Sequence, residues 1–334
     1  MLKSSLVLSG AFVLSSTASL CAQSAACVGD LNQDSMVNGQ DLALVLSYWG
    51  SNNADIDLDG NGSVGGGDLA IVLGDWGQQC NPFWSDVDVE FVGDMMVVST
   101  SGLPSHQIGP FDGTYYDPDT GQYCFNPNTS TDQNNVWMIP LQPVPTDNPT
   151  VDVLATGGAI AVSITGASIY NAYDGGGAEA PFNICMDYCR GHASPDGGYH
   201  YHQYSPCFNE VIEADGHSGI VGYAFDGYAI YGLNDIGGVV PSDLDDCGGH
   251  TDPIRGYHYH FQTQFPWTLG CYHGQPEPSN FAGGGGGGGG GCTGCMVNMI
   301  PPPTCNCVQN APGYEYCCNN WDASCQEYAS LFCN

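Results

Sequence analysis

Positive charge is almost missing from this sequence: Lys and Arg number 3 among 334 residues, against 35 Asp and Glu, for a formal net charge of -32. Lys3 lies in the first residues, so only Arg190 and Arg255 remain in the body of the chain. A partner made of phosphates demands many cations, so nucleic acid and anionic membrane are excluded as partners, and a lysine nucleophile is excluded with them. Long apolar runs are missing too. Beyond the first two dozen residues no segment approaches the roughly 20 apolar residues of a membrane helix, which excludes membrane insertion.

The exception at the start reads as an export signal. Lys3 is followed by a mostly apolar run from Leu6 to Leu14 and then by small residues, so residues 1–24 are expected to be a signal peptide, cleaved after Ala22 or Ser24, and the protein to be secreted and extracellular. Cysteine usage agrees. Of 17 cysteines one, Cys21, falls in the leader, and the rest of an exported chain is expected to be oxidised. They divide evenly by region: Cys27 and Cys80; then Cys124, Cys185, Cys189, Cys207, Cys247 and Cys271; then eight from Cys292 to Cys333. Three separately stapled modules follow, with Cys27–Cys80 closing the first.

Residues 25–82 contain a repeated loop. Asp30, Asn32, Asp34, Met36 and Asp41 recur as Asp57, Asp59, Asn61, Ser63 and Asp68, each set leading into a short apolar helix that ends in Trp-Gly. Oxygen donors at loop positions 1, 3, 5 and 12, with a backbone carbonyl at 7, suit a calcium ion. Val37 and Val64, at position 8, are expected to join the two loops as a small β pair. The module resembles a dockerin repeat domain with EF-hand-like loops, which implies calcium-dependent folding and docking to a cohesin-like partner. Early helix ends and Ser35 in place of the usual glycine at loop position 6 leave a second reading open, a calcium-folded spacer.

Residues 83–278 alternate in the manner of strands, at Val87 to Phe91, Met95 to Ser99 and Val151 to Ile164, and are expected to form one mainly β domain. Asn126 to Asn135 reads as a surface loop. Pro276, Pro278 and the nine glycines Gly283 to Gly291 make residues 279–291 a flexible tether. Residues 292–334 form a small disulfide-rich tail that resembles short Cys-rich Trp-Asp repeats. Trp321 stands where a secreted phospholipase would carry its catalytic histidine, so that activity is excluded.

The central domain is organised around a stretch written twice. Asp187, Cys189, Gly191, His192, Pro195, Gly198, Tyr199, His200, Tyr201 and His202 recur without a gap as Asp245, Cys247, Gly249, His250, Pro253, Gly256, Tyr257, His258, Tyr259 and His260. Upstream, Ile164, Gly166, Ile169 and Tyr170 recur at a slightly larger offset as Phe225, Gly227, Ile230 and Tyr231. The unit is thus a hairpin followed by a His-rich segment, spanning about 155–207 and 217–273, and two such copies are expected to face each other across a pseudo-twofold axis. Cysteines bracket each His block, pointing to Cys189–Cys207 and Cys247–Cys271, with Cys124–Cys185 left as the remaining pair.

In an extended Tyr-His-Tyr-His both imidazoles project to one face and both tyrosines to the other. A third histidine arriving from the Gly-His turn completes a three-His set, a geometry used for copper or zinc. The candidate ligands are His192, His200 and His202, and their counterparts His250, His258 and His260, with His217 as a further candidate. Asp226, beside His217, is the candidate acid or base, next to its plainer reading as a turn residue before Gly227. The two arginines read as partners of local carboxylates such as Asp187 or Asp245, or as anchors for an anionic ligand. The two Tyr-His-Tyr-His blocks, the run from His217 to Gly232 and Phe265-Pro266-Trp267 together resemble a YHYH domain. That resemblance names the domain and implies no settled activity. The competing reading is a non-catalytic extracellular structural or interaction protein whose histidines only hold the fold. Nothing in the spacing of the aromatics singles out a sugar platform.

Overall fold

A computed structural model describes residues 27–281. The expected leader, most of the glycine tether and the Cys-rich tail lie outside the described residues.

The first part is helical. α1 (Gly39–Ser47) starts at Asn38, whose side chain accepts from Gln40 N, and α2 (Gly66–Gly74) starts at Gly65; Asp41 and Asp68 reach back to the backbone N–H of these two cap residues. Leu31, Val37, Val45, Ile56, Val64 and Val72 form a small core behind the Cys27–Cys80 bridge, and Ile254 of the second His block packs into it. The expected pairing of Val37 with Val64 is corrected: Val37 exchanges backbone bonds with Gly77 and Gln78 after α2, and Val64 with Gly50 and Ser51 after α1. Each loop is tied to the chain leaving the other helix, so the two halves are interlocked. Ser35 takes the left-handed conformation (φ 70°) that glycine usually supplies, and its hydroxyl meets the Tyr223 hydroxyl at 3.3 Å.

The rest is mainly β, in three sheets. β1 (Asp88–Val92), β2 (Met95–Thr100) and β5 (Asn135–Pro140) form an antiparallel sheet, and β3 (Asp112–Asp117) pairs with β4 (Gln122–Phe125). The largest sheet holds β6 (Ala159–Ser163), β7 (Ser168–Tyr170), β8 (Gly191–Ala193), β9 (Tyr199–Tyr201), β10 (Ile220–Ala224), β11 (Ala229–Tyr231), β12 (Gly249–Asp252) and β13 (Gly256–His260). Its order is β12-β13-β11-β10-β6-β7-β9-β8, so it reads the same outward from the central β6–β10 seam in either direction. Each side is an antiparallel hairpin, a parallel step to the His strand, and a closing antiparallel strand. The expected strand over Val151 to Ile164 is shorter than its alternation suggested, since residues 151–158 are turns that return a loop to the sheet.

One core spans both sides: Met96, Val98, Trp137 and Ile139 of the three-stranded sheet pack with Ile160, Ile169, Tyr201, Ile230 and Tyr259 of the larger one and with Phe225 just after β10. Burial of this aromatic and aliphatic surface is the main stabilising term. The bridges Cys124–Cys185, Cys189–Cys207 and Cys247–Cys271 pin the periphery, as the cysteine spacing predicts.

Candidate metal centres

The motif explains its own residues once folded. Gly191 pairs with Tyr201, and the ring of Tyr199 lies diagonally over it, so that a Cβ there would come within 2.3 Å of the phenol; Gly249, paired with Tyr259, lies under Tyr257 in the same way. The space these glycines leave lets each phenol reach back to the aspartate that opens the motif. Tyr199 Oη donates to Asp187, which also accepts from Gly191 N, and Tyr257 Oη donates to Asp245, which also accepts from Gly249 N. With tyrosines clamped on one face, the imidazoles are set on the other.

There the first block brings together His192, His200 and His202, and the second His250, His258 and His260 with His217 as a fourth. His200 Nε2 lies 3.1 Å from His202 Nε2. His258 Nε2 lies 3.2 Å from each of His217, His250 and His260 Nε2. Four ligands around a tetrahedral ion at about 2.0–2.1 Å stand about 3.3 Å apart, close to these separations.

Six of the seven opposite ring nitrogens are committed. His200 Nδ1 donates to Gly198 O, His202 to Asn171 O, His217 to Ser218 O, His258 to Gly256 O, His260 to Gly232 O, and His250 to the Asp243 carboxylate. A backbone carbonyl can only accept, so the neutral rings of His200, His202, His217, His258 and His260 carry their proton on Nδ1 and turn a bare lone pair inward at Nε2. His192 Nε2 is buried and has no hydrogen-bond partner. Burial, joined in His192 by the neighbouring His202, pushes its pKa down to about 3; burial holds His202, His217, His258 and His260 down at about 4, and drives His200 well below the ordinary value. Converging, unprotonated, backbone-oriented imidazoles are the arrangement a transition metal takes.

The two clusters differ. The first forms part of the wall of a cleft of about 1170 Å³ bounded by Tyr123, Phe125, Asn126, Asn128, Tyr173 and Asp174. Tyr170 stacks on His200 with ring centroids 3.8 Å apart. The second has its fourth imidazole, and Asp235 Oδ1 stands 3.9 Å from His217 Nε2 and 4.0 Å from His250 Nε2. Tyr170, Tyr231, Asp235 and Asp243 escaped sequence reasoning as site residues, although both tyrosines stand in the repeated hairpin.

Other candidates fall elsewhere. Asp226 joins neither cluster: its carboxylate accepts from Tyr259 Oη, Gly274 N and Tyr228 N, which fits its turn reading and gives it no contact with an imidazole. Arg190 pairs with Asp119 at 3.4 Å, and Arg255 with Asp252 at 2.8 Å and Asp215 at 3.1 Å. The expected partners Asp187 and Asp245 are instead taken by the tyrosines. His106 bonds Tyr201 Oη, and His273 stacks on Tyr257.

In the N-terminal loops Asp57, Asp59 and Asp68 bring carboxylate oxygens within 4.8 Å of one another. Around the first loop Asp30 is pushed up to about 8 by burial and by the adjacent Asp34 and Asp41. Asn32, Met36, Asn61 and Ser63 sit in the same two turns.

Residues 136–237 match the family model described as YHYH protein. The match runs from β5 past β11, so it takes in the first histidine cluster and His217 and ends before His250. No curated protein and no solved structure matches the chain. Among the described residues no helix is long and apolar enough to cross a membrane.

Proposed function

We propose that this chain, which carries a YHYH domain, is a secreted metalloprotein that binds copper or zinc through His192, His200 and His202 and through His217, His250, His258 and His260. The observation that carries the reading is the convergence of unprotonated Nε2 atoms whose Nδ1 partners fix their tautomer. Imidazole donors, with the nearby cysteines held in disulfides, favour these two ions over softer-site metals. Metal content by mass spectrometry on the untagged full chain tests it. One or two equivalents of copper or zinc per chain, reduced on His200→Ala and on His258→Ala, are expected; no uptake after reconstitution overturns the proposal.

In the same reading the eight-stranded sheet is two copies of one unit, and residues 25–82 are a dockerin-like calcium module. Mutual repulsion among Asp30, Asp34 and Asp41 supports a cation there, since a bound Ca²⁺ relieves it. Exposed Leu46, Trp49, Leu73 and Trp76 on and after the two helices give the module an apolar surface for a cohesin-like partner. The alternative, a non-catalytic extracellular structural protein, keeps the module and the disulfides and drops the transition metal; it leaves the inward lone pairs unexplained.

A further inference from the structure

Equal spacing of the two Tyr-His-Tyr-His blocks suggests equal sites, and the structure does not make them equal. Tyr231 and Gly232 of the second side correspond along the hairpin to Tyr170 and Asn171 of the first: Gly232 O and Asn171 O take the same bond, from His260 and His202 Nδ1. Counting back along the same hairpin, His217 corresponds to Thr156. Its hydroxyl is turned to Asp152 O, and the following chain passes through Gly158 at φ 96°, a conformation its counterpart Gly219 does not take. The first cluster therefore has three imidazoles, and where the second has its fourth the first has the cleft.

Resting on the metal reading above, we infer that the two centres divide their work: the ion at His192, His200 and His202 keeps an open coordination position facing the cleft, and the ion at His217, His250, His258 and His260 is closed. Structural sites of this kind fill four positions with protein ligands, and reactive sites fill three and leave one to water or substrate. The cleft selects what arrives. Asp174 is the one charged side chain of its wall, and that carboxylate is occupied by Gly176 N, Ala178 N and Asn183. Tyr123, Phe125 and Tyr173 add aromatic faces and Asn126 and Asn128 add amides, in a wall without Lys or Arg. An uncharged ligand bearing hydroxyl or amide oxygens fits that wall, with one oxygen reaching the ion.

The test uses the untagged full chain loaded with Co²⁺, with bound cobalt counted first and azide then titrated while the visible ligand-field bands are followed. Two cobalt ions per chain with a response that saturates at one azide-reactive ion are expected. The response should disappear in His200→Ala and persist in His258→Ala, each of which should retain one cobalt. Responses from both ions or from neither, or a response that survives His200→Ala, overturn the inference and leave the metal reading standing. Failure to take up any cobalt overturns the metal reading itself.

Discussion

At the scale of single residues, the glycine of each Gly-His pair does as much for the site as the histidine. Gly191 has no space for a side chain because Tyr199 fills it. Gly191→Ala is expected to cost about 1–3 kcal/mol, the usual range for overpacking, measured as a lowered denaturation midpoint. The imidazoles set a pH dependence whose direction follows from burial. His202, His217, His258 and His260 are held at about 4, below the roughly 6.5 of an exposed histidine, so between these values the unfolded chain binds protons that the metal-free fold refuses. Their contribution is fully present above about pH 6.5 and is lost as the pH falls toward 4. Thermal midpoints of the metal-free protein should fall across that window, and loading with zinc at neutral pH should raise them. The His-x-His alternation was legible in the sequence because side-chain direction in a strand has a fixed period. The carbonyls that fix each tautomer were not legible, because Asn171 O and Gly232 O come from strand ends far along the chain.

At the scale of elements, the short strands β9 and β13 are held by what flanks them. Cys189–Cys207 closes a loop with a sequence separation of 18. In the chain-entropy account such a loop is worth about 3 kcal/mol, so Cys189→Ser with Cys207→Ser is expected to lower the unfolding free energy by about that amount, with the first centre losing metal retention before the second. In the N-terminal module the raised pKa of Asp30 has the opposite sign to that of the histidines. Its stabilising share is present below about pH 4 and is lost as the pH rises through about 8 in the ion-free state. Chelated protein should therefore melt lower at pH 8 than at pH 5 in this module, and calcium should abolish the difference, as followed by circular dichroism. Loop positions were readable from oxygen spacing. The crossed ties of Val37 and Val64 were not, because two identical loops give no hint of which chain segment each will meet.

At the scale of the whole molecule, the repeated motif pointed to two halves and hid that their histidine sets differ, because the hairpin and the His block recur at different offsets, which leaves Thr156 out of register with His217. The N-terminal module sits against the second half alone among the two histidine centres: Gln33 Oε1 accepts from Tyr231 Oη, Asp55 accepts from Asp215 N, and Ile254 enters the small core. The ring of Tyr231 lies edge-on to His217 and His258. Removing residues 27–82 should therefore weaken metal retention at the four-His centre while sparing the three-His centre, as chelator-release rates for the two ions would report. The β6–β10 seam carries a different consequence. Ala161, Val162 and Ser163 find their neighbours in Ala224, Tyr223 and Gly222, and both strands are otherwise buried. A chain stopped at residue 207 would present β6 as an open edge, a template for another strand. If the sheet is two copies of one unit, as proposed above, two such half-length chains, each offering the other the same edge, are expected to rebuild it as an isologous dimer.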